Sequence, residues 1–156
     1  MIKPIYLYGS GVLRDNATEI PLENKEEIAE LVANLKETLS VADGCGLAAP
    51  QIGVGRRVVI VDGTVVADTY DYLKDFRRTL INPVVTWESG ETCDYSEGCL
   101  SIPGVYADVK RPKSITVEYY NENLEKVTAT FDKFACRMIQ HELDHLDGKM
   151  FVDRVA

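Results

Sequence analysis

Both histidines of this 156-residue chain fall inside one five-residue run, His141-Glu142-Leu143-Asp144-His145. Side chains four apart on a helix leave from the same face, one turn above the other. Two imidazoles so spaced share one metal ion, and the adjacent Glu142 reaches a water held by that ion, the arrangement of a metal-assisted hydrolase. The bland alternative is a chance match on a solvated helix face. The scarcity of histidine weighs against it, because both copies would have to fall in register with a glutamate by accident.

A catalytic ion of this kind takes three protein ligands and keeps a further position for water. The eleven residues after His145 contain no histidine and no glutamate. Asp147 faces away from the imidazoles if the helix continues, and Asp153 is a weak candidate, so the third ligand is expected upstream. Cys99, within Glu97-Gly98-Cys99-Leu100-Ser101-Ile102-Pro103, is the candidate there, since a thiolate suits zinc or ferrous iron. On spacing alone Cys99 reads equally well as a small buried hydrophobe.

The paired imidazoles need a helix, and Cys99 needs other elements to bring it there. Phe134, Ala135, Met138, Ile139, Leu143 and Leu146 predict a helix from about Asp132 to Leu146 with one apolar side, closed by Gly148. A second helix, roughly Glu23 to Val41, carries Ile28, Leu31, Val32, Leu35 and Leu39 at helical spacing. Asp43-Gly44 is expected to stop it, with Gly44 as a left-handed cap. Residues 1–22 read as an irregular arm and 44–55 as a loop rich in glycine and alanine. Val58 to Val61 reads as a buried strand, and 62–78 as a polar excursion carrying a helical turn. Strand character resumes over 80–85, where Pro83 predicts an edge or a bulge. Residues 114–120 and 126–131 form a hairpin turned at Asn121-Glu122-Asn123. The expected fold class is therefore α+β: mixed or antiparallel strands packed around a C-terminal metal-binding helix, with an N-terminal amphipathic helix, in one domain over residues 1–156.

Composition bounds the setting. The chain is 46% hydrophobic and 27% charged, ordinary for a globular protein. A net charge of −8 argues against a nucleic-acid surface, which needs a basic face to displace counterions. No signal peptide or membrane span is recognisable, so the expected address is the cytosol, with no membrane partner. Four cysteines (Cys45, Cys93, Cys99, Cys136) in a cytosolic chain argue against a disulfide framework.

Three short motifs stand in order: Gly44-Cys45-Gly46-Leu47-Ala48-Ala49-Pro50-Gln51, Glu97-Gly98-Cys99-Leu100-Ser101 and Gln140-His141-Glu142-Leu143-Asp144-His145. With weaker similarity at Leu13-Arg14 and Gly148-Lys149-Met150-Phe151, they span the chain, and the sequence resembles the peptide deformylases. The resemblance implies removal of the N-terminal formyl group from the formyl-methionine of newly synthesised proteins, with release of formate. It implies that Cys99, His141 and His145 hold one divalent metal, ferrous iron in the cell, with zinc, nickel or cobalt as substitutes. It makes Glu142 the general base and then the acid as a water held at the metal attacks the formyl carbon. Gln51 and the backbone N–H of Leu100 would stabilise the oxyanion. The chemistry agrees, since a neutral amide donor suits an acceptor-only charge. Without the motif, Gln51 reads better as a loop glutamine bonded to backbone.

By the same resemblance the N-formylmethionyl peptide lies as an added strand along Gly44 to Gly46 and Gly98. The pocket carried over comprises Cys45, Gly46, Tyr95, Phe134, Arg137, Met138 and His141, where Tyr95, Phe134 and Arg137 are bulkier or more polar than the aliphatics often found there. Phe134 and Met138 read equally well as ordinary core. Glu97 and Arg111 match positions that pair to support the site. Asp144 reads as a surface carboxylate in preference to one orienting an imidazole, and Cys45 as an inert thiol in preference to an oxidisable one. Two departures stand out. Tyr106 occupies a position where some members carry a peptide-holding arginine. The chain also ends at Ala156, short of the helix with which many bacterial members dock on the ribosome, which puts ribosome association by that route in question. Two other readings compete. A general zinc peptidase would more often bring a downstream ligand and a secretory setting. A non-catalytic binding module would need a closed four-ligand site and would leave Glu142 without a purpose.

Overall fold

The structure is a computed structural model that describes residues 1–42 and 44–155. In chain order it contains helix α1 (Lys25–Val41), strands β1 (Gly46–Ala48), β2 (Val58–Asp62), β3 (Arg77–Glu88), β4 (Thr92–Cys99), β5 (Ile102–Pro112), β6 (Ser114–Tyr120) and β7 (Lys126–Asp132), and helix α2 (Lys133–Leu146). The pairing within both sheets is antiparallel: a five-stranded sheet ordered β1-β2-β3-β6-β7 and a separate hairpin of β4 with β5. This is the α+β class.

The two helices cover opposite faces of the larger sheet. Val58 and Ile60 join Ile28, Leu31, Leu35 and Leu39 of α1 in one apolar cluster, while Val59 and Val61 join Met138, Ile139 and Leu146 of α2 in another. A strand buried on both faces reads as an unbroken apolar run, which is why Val58 to Val61 shows no alternation. β3 continues the division, with Leu80 on the α2 side and Ile81 on the α1 side.

Pro83 lies in the middle strand of this sheet, not at an edge. The register shifts between Ile81 and Val84, so the residue without an N–H sits in a bulge. Asn82 supports the bulge at φ 51°, its side chain bonding both Ile20 N and Ile20 O at 2.9 Å. The glycine-alanine loop proves to contain β1 and a 3-10 turn, Ala49–Ile52. The hairpin β4–β5 has no counterpart in the periodicity, because its core-facing positions are few and some are charged: Glu97, Val109 and Arg111 are buried. Helix α1 ends at Val41 with Ala42 extended, and Asp43 of the expected stop lies outside the described residues. Gly148 closes α2 at φ 71°. Among the described residues no helix is long and apolar enough to cross a membrane.

Candidate active site

Helix α2 packs against β1 and β2, so its inward face is fixed by the sheet, and the two histidines lie on that face. His141, Glu142 and His145 are all buried. Cys99 comes from the last position of β4, where the hairpin register breaks after Gly98 and the thiol turns toward the helix. Its Sγ lies 3.4 Å from His145 Nε2. One ligand atom from each of Cys99, His141 and His145 lies within 4.8 Å of the others. A tetrahedral ion with ordinary sulfur and nitrogen bond lengths separates its S and N ligands by about 3.6 Å, so the donor set fits a divalent metal.

The surrounding groups are consistent with that fit. Glu97 accepts from His141 Nδ1 at 2.8 Å, which leaves Nε2 for a metal. Arg111 grips Glu97 through Nε and Nη2 at 2.7 and 2.9 Å, and Arg137 adds Nη1 at 2.6 Å. Burial pulls the Glu97 carboxyl upward, but the bonds from His141 and Arg111 outweigh it and hold it well below the usual range. Glu97 is therefore fully engaged beneath the histidine, although it also borders the cavity. Asp144, read from sequence as a surface carboxylate, is buried and takes bonds from Arg111 and Arg154. It does not orient His145, whose Nδ1 meets no hydrogen-bonding partner among the described residues.

Glu142, unlike Glu97 and Asp144, has no counter-ion bonded to it among the described residues. Its Oε1 is buried and unpartnered. Burial pushes its pKa up to about 7, opposed by His141 and reinforced by Glu97. Gly46 makes room for it: a Cβ there would stand 2.5 Å from Glu142 Oε2.

Gln51 makes the backbone bond expected of a loop glutamine and leaves its amide nitrogen to the site. Its Oε1 accepts from Ala48 N at 2.9 Å, and a backbone N–H demands that orientation of the amide. Its Nε2 then points to Ser101 Oγ at 3.1 Å and Cys99 Sγ at 3.5 Å. The N-terminal arm pins both neighbours from behind, Tyr6 N to Gln51 O and Tyr8 N to Ser101 O, each at 2.7 Å. The sequence carried no signal for that contact. Leu100, in the β4–β5 turn, packs its side chain over Gly44.

A cavity of about 480 Å³ opens over these groups, lined among others by Gly44, Cys45, Gly46, Gly98, Phe134, Arg137 and Met138. Two of the expected pocket residues behave differently. Tyr95 is absent from the wall; it packs edge-on to Phe134 and against the Arg137 guanidinium. Arg137 borders the cavity but spends its charge on Glu97 and on the carbonyls of Val109 and Cys93. Val65, Val66, Ile102 and Tyr106 also line the cavity. Val65 and Val66 come from a 3-10 turn in the 62–78 excursion, and nothing in their spacing marks them. Burial pushes the Cys45 thiol up to about 12, which favours the inert reading of the two.

Comparison with known proteins gives one answer throughout. The family profile described as polypeptide deformylase matches residues 2–156. A peptide deformylase of Flavobacterium psychrophilum is 44% identical over 163 aligned positions, covering 100% of this chain and 84% of that protein. The crystal structure of a probable peptide deformylase from Synechococcus phage S-SSM7 superposes with TM-score 0.87 at 38% identity, covering 97% of this chain and 99% of the other. The Met-Ala-Ser-bound class I type b peptide deformylase of Acinetobacter baumannii superposes with TM-score 0.90 at 30% identity, covering 99% of each chain.

Proposed function

The chain belongs to the polypeptide deformylase family, and from that premise we propose that it removes the N-terminal formyl group from formyl-methionyl nascent peptides in the cytosol, releasing formate. The observation that carries this reading is the convergence of Cys99, His141 and His145 beside the unpartnered Glu142 Oε1, with Cys99, His141 and Glu142 lining one cavity. Residues 1–156 act as one catalytic domain in this reading. Cys99, His141 and His145 would hold one divalent ion, with ferrous iron as the proposed native occupant and zinc, nickel or cobalt as substitutes. When bound, that ion supplies Lewis acidity and makes water nucleophilic near neutral pH.

The chain's own groups do the remaining work. Two strand edges flank the cavity, since among the described residues β1 is the outer strand of the larger sheet and β4 pairs only with β5. A formylated peptide fits between them by main-chain bonding, with Gly44, Gly46 and Gly98 allowing close approach and Phe134 and Met138 receiving the methionine side chain. This mode of recognition reads backbone more than sequence. The tripeptide named in the A. baumannii structure, Met-Ala-Ser, is of the size and type expected for the deformylated product.

Glu142 accepts the proton of the attacking water and then delivers it to the departing amine. Burial, which disfavours the charged carboxylate, helps Glu142 take up a proton that it must later give back. Gln51 Nε2, already fixed by its carbonyl bond to Ala48 N, donates to the oxyanion that forms at the formyl carbon, joined by the Leu100 N–H. Glu97 keeps the His141 ring in one tautomer and one plane.

The direct test is formate release from formyl-Met-Ala-Ser by protein loaded anaerobically with ferrous iron or nickel, with unformylated Met-Ala-Ser as a control. Metal-dependent formate with an intact peptide is expected. No formate from a folded, loaded sample would overturn the reading, and cleavage of the control would replace it with a peptidase.

A further inference from the structure

A chain of buried charges leaves His141 and ends outside the metal helix. Arg111, which grips Glu97 beneath His141 with two of its nitrogens, turns its third, Nη1, to Asp144 Oδ2 at 2.7 Å. Arg154 completes the series from the far side, Nη2 bonding Asp144 Oδ1 at 2.7 Å and Nε bonding Oδ2. Arg154 belongs to the 3-10 turn Phe151–Arg154. Phe151 of the same turn is fully buried and lies nearly parallel to the His141 ring, with centroids 6.0 Å apart and 27° between planes.

The turn therefore meets His141 by two routes, an aromatic face and a relay of planar groups. Guanidinium and carboxylate forks constrain one another's planes as well as their distance. Each fork in the series Arg154–Asp144–Arg111–Glu97 thus restricts the next, and the last oxygen fixes the imidazole. Asp144 sits one residue from a proposed ligand without touching it, and both of its oxygens are committed to this relay. Nothing in the proposed reaction uses Arg154.

We propose that Arg154 is a positioning residue for the ligand imidazole of His141, acting through Asp144, Arg111 and Glu97; this rests on the assignment of Cys99, His141 and His145 as the metal ligands. Removing it leaves Asp144 with one guanidinium in place of two and frees Arg111 to tilt toward Asp144. The strain is passed to Glu97 and from there to the ring. Arg154 is partly exposed, at 38% of its side chain, so the variants are expected to fold. Arg14 supplies the internal control: it holds the same turn, and with it the Phe151 face, through Asp153 Oδ2 at 2.5 Å but is not joined to the relay.

The experiment compares the wild-type chain, Arg154→Gln, Arg154→Lys and Arg14→Gln, each loaded with cobalt. It reads the visible absorption of the bound ion, the rate of cobalt transfer to a chelator, and kcat and KM for formyl-Met-Ala-Ser. Arg154→Gln is expected to release cobalt about tenfold faster, the lower end of what loss of an outer hydrogen-bonding partner costs a metal site. Its cobalt bands should shift, and kcat should fall with KM unchanged. Arg154→Lys should recover part of each effect, and Arg14→Gln should match wild type. Wild-type release and spectrum in Arg154→Gln would overturn the proposal, and so would the same losses in Arg14→Gln, which would reduce Arg154 to an anchor of the turn. Failure of the wild type to bind cobalt would overturn it together with the ligand assignment. Wild-type protein that binds cobalt but makes no formate would sink the deformylase reading alone, and a release rate that still separates Arg154→Gln from Arg14→Gln would then support the positioning role.

Discussion

Glu142 is held in conflict, and the conflict is measurable without substrate. Burial raises its pKa from 4.5 to about 7 in the metal-free chain. A carboxyl whose folded value lies above its unfolded value binds its proton more tightly when folded. Its contribution to stability is complete below pH 4.5, falls as pH rises through the interval and is lost above 7. The difference corresponds to about 3 kcal/mol at most. Glu142→Gln keeps the shape and removes the titration. In metal-free protein the variant should unfold at higher urea than wild type at pH 8, and the advantage should shrink toward pH 5. Glu97 and Asp144, whose carboxyls are held low, lose stability in the opposite sense as pH falls, but they are common to both proteins and cancel; His141, held up in part by Glu142, is coupled to it, so the comparison reads the pair. An advantage independent of pH would mean that Glu142 does not titrate in this range.

At the scale of elements, the site depends on how α2 stops. Gly148 sits at φ 71°, and a Cβ there would stand 2.4 Å from Arg14 O. That obstacle is backbone, so it cannot rotate away. Gly148→Ala should cost about 1–2 kcal/mol from its left-handed conformation alone, with a further cost from displacing the segment at Arg14. Gly55→Ala meets nothing within 4 Å and should be close to neutral. Urea unfolding of the two variants checks the contrast; equal stabilities would show that the turn after α2 adjusts freely. The bulge in β3 is a similar device, since Asn82 ties the strand to Ile20 where Pro83 interrupts the ladder.

For the whole molecule, a metal would add a further tie between units already joined by the buried bonds of Glu97 to Arg137 and His141 and of Arg111 to Asp144. Cys99 belongs to the hairpin and His145 to the helix, 46 residues later. An ion bound only by the folded chain adds stability of RT ln(1 + [L]/Kd), about 2.7 kcal/mol when free metal is a hundredfold above Kd. For a protein of this size that is roughly 5–10 °C in Tm. Removing metal with a chelator should lower Tm by that order, and readdition should restore it. Cys99→Ala should abolish the difference, and an undiminished metal-dependent shift in that variant would remove Cys99 from the ligand set.

Much of this was legible in the chain itself. The spacing of His141 and His145 presupposes a helix, and a helical face is a local property that four residues suffice to define. Both helices, the buried run at Val58 to Val61 and the hairpin over 114–131 follow from periodicity, because each buries one face or two against a partner whose identity does not matter. Three motifs in order were enough to suggest the family. The hairpin β4–β5 was not legible, because its inward side chains are Glu97 and Arg111, and charge ordinarily signals solvent. Asp144 was misread for the same reason: burial of a carboxylate depends on guanidiniums that arrive from Arg111 and Arg154, and pattern along one helix contains no information about them. The residue types and the local periods were thus determined by sequence alone. That Asp144 is neutralised by Arg111 and Arg154, and that Val65 and Val66 wall the cavity while Tyr95 does not, was decided only when distant segments came together.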